Sequence, residues 1–80
     1  ARCGLLHLAP GLAFPRHRHL GNEWALVLQG SAQDDSGRIA HPGDMTYQPT
    51  GSTHSFRVLA GEPLVIVIVL HEGFEIAMAS

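Results

Sequence analysis

Glycine and proline interrupt this chain before a helix can form. Its 80 residues include nine glycines and five prolines. Turn signals built on them recur at intervals of about 8–12 residues, a spacing typical of β-sandwiches and barrels. The windows between the turns are too short for an apolar stripe with the helical period of about 3.6 residues. The pattern therefore predicts an all-β protein made of short strands.

The segments between these turns have the composition of strands, because they are rich in β-branched, aromatic and other apolar residues. DDSGR at 34–38 is predicted to be a hairpin turn, with Gly37 available for a positive φ. The regular spacing indicates a sandwich or barrel, and without a visible linker or repeat it indicates a single domain over residues 1–80. The predicted strands lie within GLLHLAPG, LAFPRHRH, EWALVLQG, MTYQ, HSFRVL and LVIVIVLHE.

A domain of this size has little surface to bury. Small domains bury only about 60 % of the surface of the unfolded chain, so many of them depend on a disulfide, a metal ion or a partner subunit. Cys3 is the sole cysteine and cannot close an intrachain disulfide. A metal ion or a second subunit is therefore the expected source of additional stability.

The last predicted strand is apolar at every position of LVIVIVL, residues 64–70. A strand in a sheet with one face in water instead alternates apolar and polar residues. Both faces of this strand are therefore expected to be covered. One should face the barrel core, and the other a second sheet, a homodimer partner or an adjoining domain.

The charge balance excludes some classes of partner. Five basic and seven acidic residues leave a slightly negative chain, which has no electrostatic footprint for direct binding of nucleic acid. The longest apolar run is far shorter than the roughly 20 residues of a membrane span. Because no secretory signal is visible either, the expected location is the cytoplasm.

The stretch HRHLGNEW at 17–24 contains two histidines one residue apart. Residues two apart in a strand point to the same face, so His17 and His19 form a chelating pair. Such a pair is also common on solvated surfaces. Here, however, a turn would return Glu23 to the same place, and His54 opens another predicted strand. This donor set suits zinc, iron, manganese, nickel or copper, and is too rich in nitrogen for calcium or magnesium.

Other candidate residues have simpler interpretations. His7, His41 and His71 lack chelate spacing and are expected to be ordinary surface or core residues. Trp24 adjoins Glu23 on the opposite face of its strand, so it is expected to pack outside the barrel. The serines have no nucleophile-elbow context, and no catalytic residue is assigned.

Two longer patterns resemble the motifs of the cupin superfamily. Residues 11–30 have the glycine, histidine and glutamate spacing of the first motif, and residues 43–58 resemble the second, with Val58 where that pattern has asparagine. The resemblance implies a double-stranded β-helix, or jelly-roll barrel, with one divalent metal ion held near its mouth. The implied metal ligands are His17, His19, Glu23 and His54.

Within the cupins, the segment 19–56 is most similar to the cupin-type domain of the ChrR anti-sigma factors, particularly at VLQG, DDSGR and PGD. In that group the domain binds zinc and controls, in response to oxidative signals, whether an adjoining helical zinc domain sequesters a sigma factor. Nothing in this sequence resembles the helical domain. The resemblance implies zinc as the metal and a sensory or regulatory role.

A small metal-dependent enzyme is the alternative, such as an iron dioxygenase acting on diketones or aryl ketones, because a mixed histidine and carboxylate site leaves coordination positions open. A structural barrel with empty ligand positions is a third alternative. An enzyme requires a cavity beside the metal, whereas a closed zinc sensor predicts a filled barrel. Candidate cavity walls are Phe14, Ala25, Val27, Met45, Tyr47 and Phe56, with Arg16, Arg38 or Tyr47 to orient a ligand.

Overall fold

The computed structural model describes residues 2–76, and every regular element in this range is a β-strand. The all-β prediction is therefore confirmed. The strands are β1 (Arg2–Leu8), β2 (Ala13–His19), β3 (Glu23–Gln29), β4 (Ala32–Asp34), β5 (Ile39–Ala40), β6 (Met45–Gln48), β7 (Thr53–Val58), β8 (Leu64–Leu70) and β9 (Phe74–Ile76).

The strands form two antiparallel sheets. Sheet I has the order β1-β8-β3-β6, and sheet II has the order β5-β4-β7-β2-β9. Strands distant in sequence are neighbours in both sheets, because β8 lies between β1 and β3, and β7 lies between β4 and β2. This is the double-stranded β-helix, or jelly-roll, architecture that the cupin resemblance implied.

The core lies between the sheets and depends on the alternation of side chains along β8. Leu64, Ile66 and Ile68 are buried, whereas Val65, Val67 and Val69 on the other face are only partly buried. Val58 of sheet II is fully buried and joins the same cluster. One face of β8 is thus covered by sheet II, as the sequence predicted, and the other face is the outside of sheet I.

The turn predicted at 34–38 joins β4 to β5, which pair antiparallel. Asp34 Oδ1 accepts hydrogen bonds from the backbone N–H groups of Ser36 and Arg38, both at 3.0 Å. Gly37 has a φ of 90°, a conformation that side-chain-bearing residues rarely adopt. The sequence did not indicate β4, β5 and β9 as strands, because elements of two or three residues are too short to show a periodic pattern.

Among residues 2–76 there is no helix long and apolar enough to cross a membrane.

Gly30 follows β3 at a point where the chain approaches another backbone closely. Its φ is 78°, and a Cβ there would lie 2.6 Å from the Pro63 carbonyl oxygen. Gly11 has a similar φ of 82°, with open space around the position of a Cβ. The two glycines therefore share a backbone conformation and differ in their surroundings.

We expect Gly30→Ala to lower the free energy of unfolding by more than Gly11→Ala does. Both substitutions place a side chain in a left-handed conformation at a cost of about 1–2 kcal/mol. Only Gly30→Ala also forces the backbone near Pro63 to move. Urea unfolding of both variants measures the difference. Equal losses would show that this backbone moves without cost.

Candidate metal centre

Strand β2 turns its two histidines into the space between the sheets. His17 is 3 % exposed and His19 is fully buried, as the i, i+2 spacing predicted. The intervening Arg18 points outward, where its guanidinium forms an ion pair with Glu75 at 2.8 Å. The strand thus separates a buried imidazole pair from a solvated arginine.

Strand β7 brings the third histidine to this pair. His54 lies directly opposite His17 in the antiparallel register of β2 and β7. One ring nitrogen from each of His17, His19 and His54 lies within 4.8 Å of the other two, and the Nε2 atoms of His19 and His54 are 3.1 Å apart. The three imidazoles therefore converge closely enough to bind one metal ion.

Glu23, the fourth predicted ligand, is the first residue of β3 in the facing sheet. Its Oε2 lies 3.6 Å from His19 Nδ1. It is not part of the three-histidine group, and it approaches Nδ1 of His19, whereas Nε2 of that ring faces His54. Direct coordination by Glu23 stays a prediction. A carboxylate at this position can either bind an ion or accept a hydrogen bond from a ligating imidazole.

A β-bulge in β2 determines which residues surround His17. Phe14 pairs with Phe56 and His17 pairs with His54, so the register shifts between Phe14 and His17. Residues three apart in a regular strand face opposite sides, and the bulge is what turns both inward. Pro15 lies within the bulge and has no N–H to donate to the ladder.

The carbonyl group of Pro15 also orients the His17 ring. Its oxygen lies 3.0 Å from His17 Nδ1. Because a carbonyl oxygen can only accept, Nδ1 must carry the proton and Nε2 keeps its lone pair. This arrangement resembles the way in which metal-binding histidines donate their second N–H to a backbone carbonyl.

Two nitrogen atoms of the cluster are buried without a partner. Neither His19 Nδ1 nor His54 Nδ1 has a hydrogen bond among the residues that the structure describes. A buried polar atom without a partner costs about 1–3 kcal/mol, so such atoms are rare unless a ligand, water or ion pairs with the group. The three imidazoles therefore fit a divalent metal ion both in donor chemistry and in having unpaired nitrogen atoms.

The electrostatics of the site favour the protonation states that metal binding requires. Burial, together with the neighbouring His17 and His54, lowers the pKa of His19 to about 4. Burial is also the main reason why the pKa of His54 is lowered. Both imidazoles are therefore neutral at neutral pH, and only neutral imidazole binds a metal ion. Burial raises the pKa of the Glu23 carboxyl to about 7.

Phenylalanine side chains cover one side of the histidines. Phe14 stacks on Phe56 with ring centroids 4.9 Å apart, and the ring centroids of Phe74 and His17 are 5.0 Å apart. Phe74 comes from β9, which pairs with β2. This aromatic wall keeps water from one side of the cluster and lowers the local dielectric constant.

A cavity of about 260 Å³ lies between the sheets, with Glu23 and His54 in its lining. Its apolar lining includes four of the six predicted wall residues. Arg38 lines it, whereas Arg16 instead forms a surface ion pair with Asp35. The barrel is therefore not filled in the way that a closed zinc sensor predicts, and it has the kind of space that an enzyme requires. The predicted wall residues that line the cavity are Ala25, Val27, Met45 and Phe56.

Two of the predicted wall residues do not line the cavity, and several residues that were not predicted do. Phe14 belongs to the aromatic wall, and Tyr47 lies on the outside of sheet I, where its ring packs at a tilt against Trp24 with ring centroids 4.5 Å apart. The prediction that Trp24 packs outside the barrel is thus confirmed. Sequence reasoning missed Leu64 and Ile66 of β8, for which strand parity was the available signal. It also missed Ala32 and Ala40, because the short strands β4 and β5 gave no periodic signal.

The remaining histidines have the ordinary positions expected from their spacing. His7, His41 and His71 are exposed and lie outside the three-histidine group.

Comparison with known structures identifies the fold. A cupin-like protein of unknown function from Ralstonia eutropha JMP134 is 25 % identical, with a TM-score of 0.79 over 85 % of this chain and 48 % of that chain. A double-stranded β-helix protein from Klebsiella pneumoniae is 22 % identical, with a TM-score of 0.80 over 96 % of this chain and 74 % of that chain. The DMSP lyase DddQ from Ruegeria pomeroyi is 25 % identical, with a TM-score of 0.72 over 88 % of this chain and 38 % of that chain.

The chain thus spans less than half of the Ralstonia protein and of the lyase. No curated protein sequence matches it significantly. The family model of the ChrR cupin-like domain matches residues 3–73, which is nearly the whole chain. The chain therefore belongs to the ChrR cupin-like domain family and has the cupin fold.

Proposed function

We propose that this chain binds one divalent metal ion, zinc. We also propose that a small molecule occupies the adjoining cavity and contacts this site. The observation that supports this most directly is that His54 belongs to the three-histidine group and also lines the cavity of about 260 Å³, as Glu23 does. The cavity is slightly smaller than the sites of drug-sized ligands, which begin at about 300 Å³. It therefore suits a compact molecule with an apolar part and an oxygen or nitrogen donor.

Each residue of the site has a role in this proposal. His17, His19 and His54 hold the ion, with Glu23 as the fourth ligand. A bound divalent ion supplies Lewis acidity towards a donor atom of the small molecule. The aromatic wall of Phe14, Phe56 and Phe74 excludes water from one side. Without the ion, burial raises the pKa of the Glu23 carboxyl to about 7, so binding of the ion at this ligand releases a proton near neutral pH.

We propose, as the first candidate function, that the domain has a sensory or regulatory role that depends on metal binding. The support is the match to the ChrR cupin-like domain over residues 3–73. In a small domain the free energy of metal binding adds directly to the free energy of folding. Loss of the metal or a change in its ligands therefore lowers the stability of the whole barrel. An adjoining domain can respond to this change.

A metal-dependent enzyme is the second candidate, and the cavity favours it. A closed four-ligand zinc sensor has no need of such a space, whereas an enzyme requires one beside its open coordination positions. The lyase DddQ has a similar barrel at 25 % identity. Turnover of DMSP or of small diketones by the metal-loaded chain tests this candidate, with His54→Ala as the inactive control.

Replacing His54 with alanine is expected to reduce the metal content from about one ion per chain to a trace. The melting temperature should fall as well, because the metal stabilises the fold. Plasma mass spectrometry on protein purified without chelators measures the content and identifies the metal. The matched control is His41→Ala, since His41 is exposed and outside the cluster. Full metal retention in His54→Ala would contradict the proposed site.

Metal affinity is expected to fall as the pH drops below about 7. Burial raises the pKa of Glu23 in the metal-free fold from 4.5 to about 7, so protons compete with the metal for this carboxylate at any pH below about 7. One competing proton weakens binding by about tenfold per pH unit below that pKa. Calorimetric titration from pH 5 to 8 measures the slope.

Glu23→Gln is the matched variant, because it keeps the shape of the side chain and removes its titration. The difference in slope between the two chains isolates the contribution of Glu23. Identical slopes and affinities would show that Glu23 does not participate in metal binding.

A substitution that fills the cavity is expected to block small ligands while the metal is retained. Ala32 lines the cavity, so Ala32→Phe should occupy it. In cobalt-substituted protein, added azide should change the visible spectrum of the wild-type chain. For Ala32→Phe, the azide concentration needed for the same spectral change should be at least about tenfold higher. Ala60→Phe is the control, because Ala60 is exposed and outside the lining. A wild-type spectrum that does not respond to azide would favour a closed site.

A further inference from the structure

The inner face of sheet II carries a row of residues that leads away from the metal centre. His54 and Phe56 lie two residues apart on β7 and share that face, and Phe56 pairs with Asp34 of β4. Asp34 is opposite Arg38 in the next step of the row, because its backbone N–H donates to the Arg38 carbonyl oxygen at 2.9 Å across the β4-β5 hairpin. Residues opposite each other in an antiparallel pair have side chains on the same face. Both charged residues also line the cavity.

The turn between β4 and β5 fixes the Asp34 carboxylate as an anion. Its Oδ1 accepts hydrogen bonds from the backbone N–H groups of Ser36 and Arg38 and, at 2.6 Å, from the Ser36 hydroxyl. The hydrogen bond from the Ser36 side chain lowers the pKa of Asp34, so this carboxylate is negative at neutral pH. All three bonds end on Oδ1, and Oδ2 has no hydrogen bond to the residues between 2 and 76. Oδ2 is therefore free for a donor in the cavity.

Arg38 places a positive charge beside this anion without pairing with it. Arg16, by contrast, forms an ion pair with Asp35 at 2.7 Å. Within the part of the chain that the structure describes, the Arg38 guanidinium has neither an ion pair nor a hydrogen bond. Its planar fork of N–H donors can therefore bind an incoming carboxylate through two parallel hydrogen bonds.

A second carboxylate, that of Asp44, lines the same cavity just before β6. Its Oδ2 accepts a hydrogen bond from the His41 backbone N–H at 2.8 Å, and Oδ1 has no such bond to a described residue. The cavity thus offers two carboxylates and one guanidinium. A simple anion would meet two like charges, and a simple cation would leave the guanidinium of Arg38 unpaired. The three charges together favour a ligand that carries both signs.

We infer, on the basis of the proposed function, that the small molecule in the cavity is a zwitterion of the α-amino acid type. Its carboxylate binds Arg38, its ammonium group binds Asp34 and Asp44, and its side chain extends along the row towards the metal centre. Cross-strand neighbours have Cβ atoms about 4.5–5.5 Å apart, so one α-carbon can present its two charged groups to Asp34 and Arg38 together.

The distance to the metal centre limits the length of this side chain. Arg38 stands at the start of β5, two strands away from His54 of β7. Neighbouring strands are about 4.8 Å apart, so the separation along the sheet is about 10 Å. A short side chain with a terminal oxygen or nitrogen donor spans it. The apolar lining packs against its carbon atoms and includes Ala25, Val27, Leu64 and Ile66.

Calorimetric titration of the metal-loaded chain with L-homoserine tests the inference. This probe carries an ammonium group, a carboxylate and a hydroxyl donor on a short side chain. Two matched probes each lack one charge, because 4-hydroxybutyrate has no ammonium group and 3-aminopropanol has no carboxylate. We expect each of them to bind at least about tenfold more weakly than L-homoserine, since each loses the hydrogen bonds of one charged group.

Substitutions show which residue binds which charge. Asp34→Asn keeps an oxygen acceptor for the turn, and Arg38→Gln keeps a polar side chain. Each should weaken L-homoserine binding by at least about tenfold. Asp34→Asn should also narrow the difference between L-homoserine and 4-hydroxybutyrate, and Arg38→Gln the difference between L-homoserine and 3-aminopropanol. Arg57→Gln is the matched control and should change neither, because Arg57 is exposed and outside the cavity lining.

An amino acid can also chelate a metal ion through its nitrogen and carboxylate. Binding of that kind would be equally strong in Asp34→Asn and Arg38→Gln, and would overturn the inference. Equal affinity for the three probes, or no binding of L-homoserine at millimolar concentrations, would overturn it too. Metal content measured on the same samples separates this inference from the proposed metal site. A metal-free chain that still discriminates the probes through Asp34 and Arg38 would contradict the metal site and support the zwitterion.

Discussion

The pairing of β2 with β7 is the contact on which the candidate site depends. Its register sets His17 opposite His54, and the alternation of β2 places His19 on the same side. The backbone hydrogen bonds of the sheet therefore offset the cost of bringing three imidazoles together, two of which are buried. A slip of one residue would turn His54 to the outside of the barrel and leave an incomplete pair.

The surroundings of the histidines make this convergence chemically useful. Burial keeps His19 and His54 neutral, and their Nδ1 atoms have no hydrogen-bond partner among the described residues. The phenylalanine wall lies on one side of the cluster, while His54 of the cluster also lines the cavity, together with Glu23. The site is thus dry on one side and accessible to a small molecule through the cavity, a combination found in binding pockets more often than in purely structural metal sites.

Sequence reasoning predicted the histidines because their signal is local. A period of two residues puts His17 and His19 on one face whatever the rest of the fold is. It placed Trp24 outside for the same reason. Two of its cavity walls were misplaced: the bulge at Pro15 turns Phe14 inward, but against Phe56 and His17 rather than into the cavity, and Tyr47 faces outward with its partner Trp24 in β3. The short strands β4, β5 and β9 gave no signal because pairing, rather than composition, makes them strands.

The sequence by itself determined the all-β class, the turn positions, the histidine pair and the apolar character of β8, since each of these arises from neighbouring residues and short periods. Only the tertiary structure decided which residues meet across the barrel: His54 with His17, Glu23 beside His19, and a cavity where a filled barrel was one alternative. It also showed that the second apolar face of β8 is the outside of sheet I. These features depend on register and on packing between strands far apart in the chain, which no local pattern specifies.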